Sequence, residues 1–323
     1  MKKTIDRLTI MLLLYCVSLH ATAQVKGTHL LGDAGLGAGT QTSPSLSLAV
    51  PAYIYTASNF KNDNGDVINK HPDLTAFVTG VGVSVVTNVK ILGGNWGASA
   101  LVGFASNKID GSQVYSKSPL SFTDTYVQPV QLGWKTARAD FVAGYALYLP
   151  TGRYTLGADD NTGLGITTNE FSGGTTLYLD AKKQWNFSLL ASYALNSKKK
   201  NTDIKPGDLL SLEGGLAKTW YIPVAGTPIP RVINLGMVYY IQTKSSRDKI
   251  PITDAITYTG TKDHIYALGA EGNILFPKSL TAFSFRWLGE FGASNRFQGN
   301  TFFITIGQNL KLFTPHTKPA AKQ

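Results

Sequence analysis

The sequence carries one cysteine, Cys16, in 323 residues. It lies inside an N-terminal apolar run, Leu8 to Leu19, which follows Lys2, Lys3 and Arg7 and precedes Ala21-Thr22-Ala23. That order is a secretory leader with an A-x-A cleavage site, so residues 1–23 are expected to be removed and the mature chain to begin at Gln24. Tyr15 before Cys16 fits a lipoprotein cleavage site poorly. Export without cysteine excludes disulfides and thiolate-held metals, and leaves stability to packing and backbone hydrogen bonds. Long hydrophobic runs are also missing. The leader's run is shorter than the roughly 20 residues a membrane-crossing helix needs, and no later stretch comes closer.

Charge is scarce, with 15% of residues charged against about 25% in ordinary soluble domains. Without the leader, 27 basic residues face 19 acidic ones, spread along the chain. With no basic helix and no aromatic binding motif, nucleic acid is not an expected partner. No G-x-S-x-G or H-E-x-x-H pattern is present. Four histidines follow the leader. His29 and His316 lie in the end segments, His71 beside Pro72 in a loop, and His264 at a strand start, so none marks a catalytic site.

Glycine and aromatic residues are abundant instead: 33 Gly, 15 Tyr, 15 Phe and 5 Trp. Their arrangement has period 2. In "WNFSLLASYALN", Trp185, Phe187, Leu189, Ala191, Tyr193 and Leu195 form an apolar set with aromatics toward both ends. The alternate set, Asn186, Ser188, Leu190, Ser192, Ala194 and Asn196, is largely small or polar. A strand with one face in lipid and one in a wet lumen has this pattern. It recurs in Trp96–Phe104, Phe141–Leu149, Leu235–Ile241, Phe283–Trp287 and Phe302–Leu312. Weaker candidates lie near 45–56, 74–88, 122–134, 170–181, 208–220 and 263–275. About twelve strands result, an even number as in bacterial outer-membrane barrels.

Connections supply an independent criterion. Segments 57–73, 106–121, 150–169, 197–207, 244–262 and 293–300 are polar and long. Between them fall 89–95, 135–140, 182–184, 221–231 and 276–279, of which only 221–231 is long. Short periplasmic turns alternate with longer outer loops in such barrels, placing both termini on the periplasmic side. A soluble sandwich or lipocalin-like barrel also alternates, but strands of 10 to 13 residues exceed the usual 5 or 6 of soluble domains. The expectation is all-β: a transmembrane antiparallel up-and-down barrel over 45–313 in the outer membrane, after a periplasmic segment 24–44 and before a tail 314–323. The Gly-rich run "LGDAGLGAG" within 24–43 is a candidate stopper that dips into the lumen.

Four stretches carry a family likeness: "FTDTYVQPVQLGW" (122–134), "LPTGRY" with the following "NTG" (149–163), "SYALNSKKKNTDIKPGD" (192–208), and "YALGAEGNILF" with "EFGASNRFQGN" (266–300). The chain resembles the outer-membrane transporter family named for the meta-cleavage pathway of phenol degradation. That resemblance implies a barrel that carries hydrophobic compounds.

"LPTGRY" lacks the P-loop pattern and a following helix. Pro150 reads as a strand stop, Thr151 and Gly152 as a turn, and Arg153 with Tyr154 as interface residues. "ADDNTG" with Asn161 and "KNDNGD" lack the distal glutamate of an EF-hand and read as solvated turns; no metal or cofactor is expected. Thr202, Asp203, Pro206 and Gly207 form another turn, after a basic run, Lys198 to Lys200, that suits the acidic groups of lipopolysaccharide. Parity places Asn186, Ser188, Ser192, Asn196, Asn234, Tyr240, Gln242, Arg286 and Glu290 in the lumen. Arg286 and Glu290, four residues apart, each need a partner or water. A structural salt-bridge network accounts for them as well as solute contact does. The function expected is passive uptake of small, hydrophobic or aromatic solutes. The alternatives are a structural or adhesive barrel and, third, an outer-membrane enzyme. Expected partners are membrane lipid, lipopolysaccharide, the barrel assembly machinery and the solute.

Overall fold

The computed structural model describes residues 27–313 apart from 112–114, 159, 254 and 255, with side chains left aside at 69–72 and 252–259. The leader, the tail 314–323 and His316 lie outside the described residues, as does the side chain of His71. In chain order the strands are β1 (Ser45–Lys61), β2 (Val67–Ile91), β3 (Gly94–Asp110), β4 (Tyr115–Phe122), β5 (Thr125–Lys135), β6 (Ala139–Leu149), β7 (Thr168–Tyr178) and β8 (Trp185–Asn196). There follow β9 (Leu209–Ile222), β10 (Arg231–Lys244), β11 (Lys249–Thr253), β12 (Ile256–Thr259), β13 (His264–Phe276), β14 (Thr281–Ser294) and β15 (Arg296–Leu312).

Each wall strand pairs antiparallel with its sequence neighbour, and β1 pairs with both β2 and β15, which closes the sheet into a ring. β4 and β5 lie end to end beside β3, with Thr123 and Asp124 between them, so they count as one broken strand. The separate hairpin β11–β12 belongs to the connection after β10. The result is the twelve-stranded barrel the alternation predicts. Ring closure leaves no unpaired edge, the only way a sheet can sit in hydrocarbon.

The outside of the wall is apolar. Met237, Phe285, Phe171 and Ile306 are each about half exposed, with Val102, Phe104, Phe141, Leu216, Leu268, Trp287 and Ile304 around the same belt. An exposed apolar surface that encircles a chain is a lipid-facing surface. Inward neighbours on the same strands are buried. Thus Phe187 is 37% exposed while Ser188 is 0% exposed.

The short connections gather at one end, together with the paired Ser45 and Leu312. Leu92–Gly93, with φ of 52° and 81°, closes the tightest of them. Three expected outer loops are largely strand instead, 106–121 through the pairing of β3 with β4. In 57–73 the chain pairs Asn59 with Lys70 and Lys61 with Val67 and turns over 62–66. In 293–300, β14 passes to β15 through Asn295 alone, with φ 54°. Above the membrane both faces of a strand meet water, so the backbone ladder persists while the period-2 apolar signal vanishes.

Residues 27–43, the segment before the barrel that holds the candidate stopper, run along the inside of the wall. Gln41 donates to the Asn95 and Gln131 carbonyls near the periplasmic rim, whereas Gly27 packs against Leu209 at the outer end of β9. Gly39 crosses β7 so closely that a Cβ would overlap the Thr175 backbone, which admits only glycine there. Leu31 is fully buried among Val238, Tyr240, Ile265, Ala267 and Leu288, a burial worth about 1.5–3 kcal/mol.

Candidate lumen site

The nine residues assigned to the lumen by parity lie on β8, β10 and β14. Asn186, Ser188, Ser192, Asn196, Tyr240, Gln242, Arg286 and Glu290 are buried and Asn234 is half-buried. Arg286 and Glu290 do not pair with each other. Arg286 donates to Glu271 on the neighbouring β13 and to the Gly32 carbonyl, and its guanidinium lies 5.2 Å from the Phe303 ring centre. Glu290 accepts from Tyr55 Oη at 2.7 Å, Tyr240 Oη at 2.6 Å and the Gly299 amide at 2.7 Å. The β14–β15 ladder ends at Gly289 and Asn300, so this carboxylate takes over a backbone amide the ladder has released. Gln242 donates to Ser211 and accepts from Arg296, which also pairs with Asp263. Asn196 accepts from Thr168 and donates to the Gly207 carbonyl.

Besides Arg286, the inner segment is held by groups outside that set of nine. Glu213 on β9 accepts from His29 Nε2 at 2.8 Å and from the Gly32 and Ala34 amides at 3.1 and 3.2 Å. Glu271 accepts the Leu36 amide at 2.9 Å and Asn273 at 2.7 Å. His29 Nδ1 faces Tyr148 Oη and Glu170. A signal for these residues was present: Glu170, Glu213 and Glu271 are lone acids at inward parity in otherwise apolar or small-residue strands. His29 had no such signal, because its segment has no period.

Aromatic rings line the lumen beside these charges. Tyr53, Tyr55, Tyr148, Tyr240, Phe297 and Phe303 are all buried, and Tyr53 meets Phe303 edge-on at 4.9 Å. A cavity of about 220 Å³ lies between the inner segment and β5–β8, lined by His29, Asp33, Tyr126, Gln128, Tyr148 and Glu170 among others. A second, of about 530 Å³, opens between Thr56–Asn59, Asp73–Thr75 and Gln298–Asn300.

The boundary motifs build the outer cap. Pro150 ends β6, and Thr151 Oγ1 bonds Thr125 Oγ1 and accepts from its amide. Asp124, in the break between β4 and β5, accepts the Gly152 and Leu164 amides at 3.0 and 2.8 Å, clamping the loop 150–167; burial raises its carboxyl above the usual range. Tyr154 packs on Gly165, and Asn161 bonds the Thr155 amide and the Thr155 and Ala158 carbonyls. Arg153 pairs with Asp160. In the next loop Thr202 caps its own turn, Asp203 pairs with Lys198, and Pro206 precedes Gly207, whose amide donates to Asp248 at 2.6 Å. The Lys200 amide donates to the Gly165 carbonyl and Lys205 bridges to Lys249, so three outer loops form one surface. His264 stands at the outer end of β13 against Tyr266.

The fold has a solved counterpart. An outer membrane channel from Pseudomonas putida F1 superposes with a TM-score of 0.70, at 12% identity, over 84% of this chain and 98% of that one. The β domain of a Bordetella autotransporter, also 12% identical, covers 82% of this chain and 100% of its own with a TM-score of 0.49. No curated protein matches the sequence. Residues 56–306 match the family described as "Putative MetA-pathway of phenol degradation", and the chain belongs to that family.

Proposed function

We propose that this chain is an outer-membrane channel for passive passage of small, hydrophobic or aromatic solutes, with residues 27–43 as its internal stopper. The observation that carries this reading is the pairing of a lipid-facing belt with a lumen whose occupant is a separate, non-wall segment. Wall side chains that filled the lumen directly would leave nothing to move. The stopper is instead held by side-chain hydrogen bonds and packing, not by a strand ladder, with Glu213, Glu271 and Arg286 among its anchors. Buried tyrosines supply ring faces with polar tips, a surface suited to small aromatics bearing a hydroxyl. The Pseudomonas putida counterpart, itself an outer membrane channel, supports the reading. So does the family description, phenol degradation.

Barrels of this strand number lie between eight-stranded ones filled by side chains and 16-stranded open porins, so the path is narrow. No energy source is needed: the solute moves down its gradient once the stopper shifts. Liposome swelling with aromatic, alkyl and sugar solutes tests selectivity. Deleting residues 24–43 should raise conductance in planar bilayers, and unchanged conductance overturns the stopper.

A purely structural barrel is favoured by one observation, the contacts of the inner segment with most of the wall. It requires that neither the full chain nor the deletion variant conduct. Catalysis requires a reacting constellation in the outer loops, and His264→Ala with all activity intact would remove its leading candidate.

A further inference from the structure

Four oxygens crowd the His29 ring, which has two nitrogens to meet them. Nε2 faces Glu213 Oε1 at 2.8 Å and Asp33 Oδ1 at 3.4 Å. Nδ1 faces Tyr148 Oη and Glu170 Oε2, each at 3.1 Å. His29, Glu170 and Glu213 are all more than nine-tenths buried. Glu170 Oε2, although buried and close to the ring, accepts no well-formed hydrogen bond. Charge is also unbalanced. Three carboxylates, Glu170 and Glu213 buried and Asp33 half-exposed, meet one imidazole, and among the described residues even a doubly protonated ring leaves two negative charges without a counter-charge. Arg286 does not supply it, being committed to Glu271 and the Gly32 carbonyl. Buried charge in that state is unfavourable, and a cation relieves it.

The geometry points to a divalent transition-metal site of the zinc type, formed by His29 Nε2, Asp33 Oδ1 and Glu213 Oε1. Their ligand atoms all lie within 4.8 Å of one another. Nitrogen and carboxylate ligands at 2.0–2.2 Å from a tetrahedral metal stand roughly 3.4 Å apart. Nε2 and Oδ1 already have that separation, and the Nε2–Oε1 contact needs to open slightly from 2.8 Å. Metal on Nε2 leaves the ring proton on Nδ1, where the unpartnered Glu170 Oε2 can accept it. Carboxylate, histidine and metal in that sequence fix the tautomer and orientation of a ligating ring. His29 and Asp33 also line the cavity of about 220 Å³, from which water can complete the coordination.

His29 and Asp33 belong to the inner segment and Glu213 to the wall, so the ion ties one to the other. That consequence rests on the channel reading; the binding itself does not. Equilibrium dialysis of the full chain in detergent against zinc, after chelator washing, tests the site, with heat-shifted gel migration as the check on folding. One zinc per chain is expected, with affinity at least tenfold weaker in His29→Ala and Asp33→Asn. Leu36→Ala, which disturbs the same segment without touching a ligand, should bind like the unaltered chain. X-ray absorption should show one nitrogen among oxygen neighbours. Sub-stoichiometric zinc, unaltered binding in His29→Ala, or equal loss in Leu36→Ala would overturn the site. Dialysis involves no flux, so a chain that binds zinc but conducts nothing sinks the channel reading and leaves the site standing.

Discussion

His29 Nε2 and Glu213 Oε1 lie 2.8 Å apart although 184 residues separate them in the chain. The same carboxylate holds the Gly32 and Ala34 amides, so one wall residue fastens three points of the inner segment. Hydrogen bonds to a charged acceptor are worth about 1.5–3 kcal/mol each. Glu213→Gln keeps the shape and removes the charge. At about 1.4 kcal/mol per factor of ten, loss of one such bond's charge-assisted part should raise the open-state population roughly tenfold in single-channel records. An unchanged gating frequency would show that Glu213 does not hold the segment.

Arg286 is the converse case, a buried cation paired with Glu271 and capped by the Gly32 carbonyl. Arg286→Met leaves Glu271 buried and unpaired. Removing one partner of a buried pair costs about 3–5 kcal/mol, whereas replacing both by apolar groups is often neutral. Urea-unfolding midpoints in lipid should therefore fall sharply for Arg286→Met and recover largely in Arg286→Met with Glu271→Met. Equal midpoints for the single and double variants would argue that the pair is solvated.

Met237 tests the lipid-facing assignment. It is 55% exposed, midway along β10, while its neighbour Val238 is 1% exposed. Arginine at the bilayer midplane of a barrel wall costs about 2–4 kcal/mol. Met237→Arg should lose that much refolding stability in vesicles, and Lys218→Arg, nearer the periplasmic rim, almost none. Equal losses would place Met237 away from the midplane.

Lys199, in the outer loop after β8, differs from its basic neighbours. Burial pushes its ammonium down to about 8, against the opposing pull of Asp248. A lysine of ordinary pKa near 10.4 is less than about 1% deprotonated at pH 8, whereas Lys199 is close to half deprotonated there. Trace acylation with mass-spectrometric readout should label Lys199 at least tenfold faster than the exposed Lys198 and Lys200 at that pH, with a half-rise near pH 8. A half-rise above pH 10 would contradict it. The sign for stability is the reverse of the usual lysine case. The unfolded chain holds this proton to higher pH than the folded one, so the loop gains stability as pH rises from about 8 toward 10.4.

Much of the wall was legible because each strand reports its own position. Trp185, Phe187 and Leu195 face lipid and Asn186, Ser188 and Asn196 the lumen for a reason local to twelve residues, the alternation of a pleated strand between two solvents. The extensions of β1 to β4, β14 and β15 beyond the membrane were not legible, since polar residues on both faces carry no parity. Asp124 was hidden differently. It stands between β4 and β5 in a stretch that reads as one strand, and its role exists only once the loop 150–167 folds back on it.

Local periodicity and composition were enough to set the strand count, the lipid-facing sets and the side of each connection, because every one of these is a property of a short stretch of chain. Only the tertiary structure decided what occupies the lumen and which charges meet there. Residues 27–43 have no repeating pattern, and their place is set by Glu213, Glu271, Arg286 and Gln131, drawn from β9, the β13–β14 hairpin and β5. Closing the barrel brings these groups within hydrogen-bond range, and a buried charge then takes whatever partner the closed wall puts beside it.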